Sequence, residues 1–542
     1  MLRRYALWTV LGFGATRPMA AQAVTGAGAD ATPLPKGALR LRVMGIWDGY
    51  DKLFTSNGSR AMFSGLATNA LGVRQLPQLS AAEQAIRTLS GISTFALSLG
   101  PLEASGDARQ SIAPISFDLG LTQKLSVGLV VPYVESRDNA LLVLNRAGSG
   151  ATVGQNPAYS TTGGSTARSL NGALLRQLAQ SRSLLAAEIA RCVPTTATGC
   201  DAIRANPAGA QQLLQQALAT QSAIVAVYGD SVRGGSPVVP ISNSATQAAI
   251  NARIGTLRSA LVGFGITSLT DGVLPAAAIV VNGPGAIARI ATDSAYGLDY
   301  PTLGGTRRAG IGDIDLTASY LWLNTLGDRP AQWLAAKQFG VRSQVTAGWR
   351  FGTAGADRTD AAFDVPIGDG ANALLARSTT DVVLNRFVWM SGTLRVVQPF
   401  SDHAVLRQPL LTDSTFFLPS VASRATRSLG RHLDVELAPR LMLGQFFGLS
   451  GGYQYRRADA DRYEFGATDS LPATSFDIGA RTSQAYMFGA TFSTLSSYAR
   501  GRSKWPVEVL YVHIAPITGS GDAPAISTDR LELRVYTGFP RR

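Results

Sequence analysis

Between residues 39 and 539, outside the stretch 137–308, segment after segment alternates apolar and polar side chains with a period of two. That period places one set of side chains on each face of an extended strand and excludes a helix for the same residues. In 339–351, Phe339, Val341, Val345, Ala347, Trp349 and Phe351 share a face on which Ser343 is the polar member. Arg342, Gln344, Thr346 and Arg350 share the other. Leu39, Leu41, Val43 and Trp47 oppose Arg40, Arg42 and Asp48 in the same way. Ile314, Leu316, Ala318, Tyr320 and Trp322 oppose Asp313, Asp315, Thr317 and Ser319. Further segments start at Ile115, Leu125, Leu433, Phe447, Tyr486, Val507 and Leu531.

Two architectures satisfy such a pattern. In a soluble sandwich the apolar faces meet each other and the arginines meet water. In a membrane barrel the apolar faces meet lipid and the arginines line the interior. Composition favours the second. Charged residues make up 16% of the 542 residues, against about 25% in soluble proteins. Several apolar faces end in an aromatic side chain: Trp47, Tyr133, Trp322, Trp349, Tyr455, Phe539. Outer-membrane barrels carry aromatic girdles at those ends. No apolar run approaches the roughly 20 residues of a transmembrane helix. The expected fold is therefore all-β: a closed antiparallel transmembrane β-barrel of about twelve strands, within ten to fourteen.

The N-terminus reads as an export signal. Arg3 and Arg4 precede a short apolar core, 6–15, and residues 19–23 (MAAQA) form a small-x-small cleavage pattern. The expected divisions are a signal peptide, 1–23; N-terminal barrel strands, 38–136; a helical extracellular insert, 137–308, acting as cap or plug; and C-terminal barrel strands, 309–539. Within the insert, 167–191, 208–227 and 246–262 are Ala-, Leu- and Gln-rich with helical spacing. A shorter helix is expected over 80–89. Cys192 and Cys200 are the two cysteines, and in an oxidising compartment they are a disulfide candidate closing one small loop.

Loop lengths set the orientation, because bacterial barrels have short periplasmic turns and long outer loops. The tight turn 121–124 is placed inside, the excursion 137–308 outside, 325–335 inside and 352–381 outside. Counting back from the C-terminus puts 443–446 inside and 459–479 outside. The two counts join if one outward strand lies within 400–430, where no clean alternation is visible.

Little in the chain points to catalysis. The histidines are His403, His432 and His513, and none stands at metal-ligand spacing with another or with the cysteines. No metal site and no cofactor is expected. Residues 224–234 (IVAVYGDSVRG) resemble the nucleophile block of GDSL-type hydrolases, with Ser231 as nucleophile. No histidine has an aspartate three residues before it, so the base is missing. The His-x-Ser pattern of outer-membrane phospholipases is absent, and so is a P-loop. The chain is not expected to be an enzyme.

Two segments resemble a known family. Gly310-x-Gly312-Asp313-Ile314-x-Leu316-x-x-x-Tyr320 is similar to a recurrent strand of the phenol-degradation-associated (meta-pathway) outer-membrane transporters. Residues 123–133 (QKLSVGLVVPY), following 117–121, resemble the strand, short turn and strand ending in Val-Pro-Tyr of the same proteins. Together they cover about a quarter of the chain, and the helical insert departs from the family. The resemblance implies a barrel that admits small, often hydrophobic or aromatic solutes. It identifies no binding residue by position. Phe539 near the C-terminus resembles the terminal aromatic of outer-membrane proteins, with Pro540, Arg541 and Arg542 following it.

The candidate lumen-lining residues are Arg342, Arg350, Arg395, Arg440, Arg456 and Arg534, set against Asp313, Asp315, Asp434, Glu436, Glu508 and Glu532. Facing charges of this kind either set pore radius and ion preference or brace a filled interior. Arg342 and Arg350, on one strand, are the sharpest pair for anion preference. The functional expectation is a passive channel for small, hydrophobic or aromatic solutes. The alternative is a non-transporting surface barrel that displays its helical insert for adhesion or assembly. The formal charge of +13 suits anionic lipopolysaccharide rather than nucleic acid in an exported protein. The expected partners are outer-membrane lipid and lipopolysaccharide, a small-molecule solute and the barrel assembly machinery.

Overall fold

The computed structural model describes residues 31–540 except 194–197, 271–273, 275–279, 297–302, 328–338, 356–358, 360–362, 409–421 and 470. The expected signal peptide, 1–23, lies outside the described residues.

Twelve antiparallel strands close into a ring. They are β1 (Leu39–Tyr50), β2 (Leu102–Gly120), β3 (Leu125–Leu144), β4 (Arg307–Ile311 and Ile314–Asn324, interrupted at Gly312 and Asp313), β5 (Gly340–Phe351), β6 (Ala373–Val383), β7 (Val388–Pro399), β8 (His432–Leu443), β9 (Phe447–Ala458), β10 (Arg481–Ser493), β11 (Val507–Ser520) and β12 (Ser527–Thr537). Each pairs with its neighbours in sequence, and β12 pairs with β1 from Thr537↔Leu39 to Ser527↔Gly49, which closes the sheet. Closure satisfies every edge internally, which a strand in hydrocarbon requires. Among the described residues no helix is long and apolar enough to cross a membrane.

The period of two decides which way each side chain points. On β12, Leu531 and Leu533 are 46% and 42% exposed, while Glu532 between them is fully enclosed. On β10, Tyr486 and Phe488 face out and Met487 faces in. The outward set forms an apolar band flanked by aromatics. Trp47 and Tyr133 stand toward one rim, and Trp322, Phe446, Phe447 and Trp505 toward the other. A soluble barrel would present the opposite faces to water. The protein is a multi-pass β-barrel of the outer membrane type.

The short turns 121–124, 384–387 and 444–446 share one end, where β1 starts and β12 stops, and that end is called the inner end in keeping with the loop-length rule. The path between β5 and β8 differs from expectation. The loop after β5 is 352–372 rather than 352–381, because β6 already starts at Ala373. The outward strand is β7, not a strand within 400–430. That region instead forms a hairpin, Asp402–Arg407 with Ala422–Ser428, extended by Asp461–Phe465 and Thr474–Ile478 into a four-stranded sheet separate from the barrel wall. The alternation is weak along β6, because its outward face carries Ala376, Ser378 and Thr380.

β2 and β3 have 19 and 20 residues, about twice the 9–11 that cross a bilayer. Their outer halves carry the helical layer: α1 (Ser80–Ser90), α2 (Gly164–Cys192), α3 (Asp201–Ala205), α4 (Pro207–Tyr228), α5 (Ala245–Gly263) and α6 (Ala286–Thr292). β3 runs on to Leu144, so the excursion begins later than residue 137. Leu142 and Leu144 of β3 share one apolar core with Leu178, Leu185, Ile224 and Ile254 of the helices. Asn206 caps α4, accepting from the Gly209 N–H at 2.8 Å, and Ser244 caps α5 through the Gln247 N–H at 3.1 Å, as first turns require. Cys192 at the end of α2 and Cys200 before α3 are disulfide-bonded, with Cα atoms 5.2 Å apart.

Phe539 does not join the lipid-facing girdle. It is buried with Leu34, Ala38, Leu495 and Tyr536 at the inner end, because Gly538 (φ +65°) turns the chain back after β12.

Candidate functional site

The barrel interior is the candidate site, and alternation along each strand builds it. All twelve candidate charges point inward from the wall. The structure sorts them into groups that sequence spacing does not reveal.

On β4 and β5, Arg350 is opposite Asp315 in register. Its Nε and Nη2 donate to the two Asp315 oxygens at 2.7 and 2.9 Å. On β5 and β6, Arg342 is opposite Asp381 and donates from Nε at 2.7 Å. Asp381 also accepts from Ser391 Oγ on β7 at 2.7 Å. On β7 to β9, Arg395 forks to Asp434 and Glu436, both at 2.9 Å, and Arg456 approaches Asp434 at 3.6 Å. On β11 and β12, Glu532 lies between Arg530 and Arg534, with Arg534 Nε at 2.7 Å. Arg534 also reaches Glu508 at 3.5 Å. Charges removed from water in this way hold only when paired and hydrogen-bonded. Arg342 is fully enclosed and Arg350 is 2% exposed. Neither presents a free charge to a passing solute.

Asp313 and Arg440 behave differently. Asp313 sits at the break in β4 and accepts backbone N–H groups of the loop after β5: Ala354 at 3.0 Å, Asp369 at 2.7 Å and Gly370 at 3.3 Å. It anchors that loop inside the barrel. Pro366 O accepts from Gln110 Nε2 at 3.2 Å, and Ile367 packs on Ile46, Ile112 and Val134 of the inner wall. Gly368 makes the approach possible, since a Cβ there would lie 2.8 Å from Asp313 Oδ2. Arg440 lines an inner cavity of about 320 Å³ with Arg386, Trp389, Met442, Arg500 and Leu510.

Further interior charges stand beside the twelve candidates. Arg42 and Arg40 share Asp118 at 3.1 and 3.0 Å. The alternation on β1 displays both arginines, but their partner emerges only from the register Arg40↔Asp118. Asp381 and Arg377 were hidden with β6. Arg377 is opposite Arg395 and bonds Thr346 Oγ1 at 3.3 Å, with no carboxylate at ion-pair distance among the described residues. The N-terminal stretch before β1 also enters the interior. The Ala31 N–H donates to Asp381 at 3.0 Å and Arg342 donates to Thr32 Oγ1 at 2.8 Å. No local signal marks that contact.

The interior is not charged all round. Ala438, Met487, Val512 and Ile514 form an apolar patch on β8, β10 and β11. Charged and apolar side chains thus both pack within the barrel interior.

The hydrolase-like segment holds no elbow. Residues 224–228 are the last turn of α4, not a strand. Asp230 accepts the Val232 and Arg233 N–H groups at 2.6 and 2.7 Å, which hold its carboxyl below the usual range. Ser231 lies exposed in that turn. His432 is buried, while His403 stands on the outer hairpin and His513 beside Asp529 on the barrel exterior.

No protein-family model matches the chain, and no curated protein matches it. Solved structures similar to it include the COG4313 outer membrane channel from Pseudomonas putida F1, with 9% identity, 94% of this chain and 100% of that one covered, and a TM-score of 0.39. A toluene transporter of Ralstonia pickettii, TbuX, shares 8% identity over 98% of this chain and 100% of that one, with a TM-score of 0.22. A Pseudomonas aeruginosa FadL homologue shares 9% identity over 97% and 98%, with a TM-score of 0.26. At these scores neither fold nor function rests on the likeness. Strand pairing and the apolar exterior identify the chain as a closed, twelve-stranded β-barrel of the outer membrane, with its interior as the candidate site.

Proposed function

We propose that the chain is a passive outer-membrane channel for small, partly apolar solutes, with the inward-folded residues 366–370 limiting passage. One observation carries the reading: the barrel interior holds an apolar cluster of Met487, Val512 and Ile514 as well as its ion pairs. A barrel that served only as a scaffold has no need of both. Amphipathic solutes and small aromatics are the class that suits both. The resemblance of 310–320 and 117–133 to phenol-degradation-associated transporters points to the same class. The driving force is the solute gradient.

The filled mid-section, braced by ion pairs and by residues 366–370, favours a second reading, a non-transporting barrel that displays its helical layer. Liposome flux separates the two. The full chain is reconstituted beside a variant in which 355–368 is replaced by a short Gly-Ser linker. Flux of a small aromatic that rises in the variant supports the channel. No flux from either supports the second reading.

A further inference from the structure

At the inner end, beside the short turns, lies the cavity of about 320 Å³. Two chemistries meet in its lining. Phe387, Trp389, Met442 and Leu510 supply apolar surface, two of them aromatic. Arg386, Arg440, Arg500 and Arg534 supply four guanidinium groups against one lining carboxylate, Glu508. Glu508 is already engaged by Ser493 Oγ at 2.9 Å, by the Tyr536 hydroxyl at 2.5 Å and by Arg534 at 3.5 Å.

Arg386 and Arg500 come from different inner turns, 384–387 and 494–506, and converge on this one space. The Arg386 guanidinium lies 4.3 Å from the centre of the Phe387 ring. Arg500 donates to the Ser496 carbonyl and hydroxyl and to Gln445 Oε1, at 3.0, 2.9 and 3.1 Å. Neither arginine pairs with a carboxylate among the described residues. In the cavity wall the Trp389 indole N–H is enclosed without a hydrogen-bond partner, which is costly unless a ligand or water relieves it.

We infer that this cavity binds a small organic anion with a flat apolar body, the class of single-ring aromatic carboxylates. A guanidinium matches a carboxylate with paired, charge-assisted hydrogen bonds, and the aromatic wall takes the ring. A plain hydrocarbon leaves the arginines without a counter-charge, and an inorganic anion leaves the apolar wall wet. The volume stands at the low end of small-molecule pockets, about 300–1000 Å³, and suits one ring better than a long acyl chain. The inference rests on the proposal that solutes reach the inner lumen, and it names their class there.

The test is isothermal titration calorimetry on the full-length protein in detergent micelles. The probes are benzoate, its neutral counterpart benzyl alcohol, and inorganic phosphate. Benzoate is expected to bind at least tenfold more tightly than either comparison ligand. R386Q/R500Q is expected to weaken benzoate about tenfold or more, as for loss of charged hydrogen bonds, and to leave benzyl alcohol unchanged. R386K/R500K keeps the charge and is expected to fall between. Heat-dependent gel mobility verifies that each variant remains a barrel. Equal affinity for benzoate and benzyl alcohol overturns the inference, as does phosphate binding as tightly as benzoate, or a double glutamine variant that holds benzoate like the parent. Liposome flux tests the transport reading separately, since binding in micelles requires no translocation.

Discussion

Replacing Arg350 by alanine tests whether the interior ladder braces the barrel. Arg350 is 2% exposed and holds Asp315 through two bonds of 2.7 and 2.9 Å. It also lies 3.9 Å from Asp369 of the inward loop. Removing it leaves the buried Asp315 carboxylate without its cation, with Asp313 and Asp369 close by. Breaking one side of a buried pair costs about 3–5 kcal/mol, far more than the 0–1 kcal/mol of an exposed pair. Asp369 holds the loop in place through its N–H on Asp313 at 2.7 Å and its carbonyl on Arg427 at 3.1 Å. Repulsion among three carboxylates acts directly on that anchor. R350A is therefore expected to lower unfolding stability by about 3–5 kcal/mol in a urea titration followed by tryptophan fluorescence. Liposome flux of a small aromatic is expected to rise in the same variant. R350M combined with D315L replaces the pair by apolar groups of similar volume and is expected to recover most of the stability. An R350A barrel that unfolds within about 1 kcal/mol of the parent, with unchanged flux, refutes the bracing argument.

Charge preference is expected to follow Arg377 rather than Arg342: R377Q lowers anion selectivity in planar-bilayer recordings, whereas R342Q lowers stability and leaves selectivity near the parent value. C192S/C200S is expected to cost the helical layer about 2–3 kcal/mol, from closure of a short loop, seen as an earlier helical melt by circular dichroism while the sheet signal is unchanged. Placing a charge on the lipid face, as in L531R, is expected to destabilise the barrel by about 2–4 kcal/mol near the bilayer midplane, measured by refolding into liposomes. A cost below about 1 kcal/mol at Leu531 contradicts its lipid-facing assignment.

The sequence made the wall legible wherever large apolar side chains alternate with charged ones. β1, β5 and β12 all do this, because lipid and an aqueous or ion-paired interior select opposite chemistries for adjacent residues. β6 was illegible because small and hydroxyl-bearing residues stand on its outer face, and its loss hid Arg377 and Asp381 with it. The inward charges were legible as a set but not as pairs, since Arg350 finds Asp315 and Arg395 finds Asp434 only through strand register. Residues 366–370 carry no pattern that announces their entry into the barrel. Their anchor is a distant carboxylate, Asp313, accepting backbone N–H groups that any sequence carries. The same holds for Ala31 on Asp381. Phe539 misled because its position near the C-terminus suggests a girdle, whereas Gly538 turns it under the barrel.

Nitroxide scanning along β5 in liposomes tests the central claim most directly, with labels placed singly at Gln344, Val345, Thr346 and Ala347. Labels at Val345 and Ala347 are expected to collide readily with oxygen, which partitions into lipid, and poorly with a water-soluble nickel complex. Labels at Gln344 and Thr346 are expected to be shielded from oxygen. An inverted pattern, or four positions with equal access to the nickel complex, contradicts a lipid-facing exterior and with it the barrel as a membrane protein.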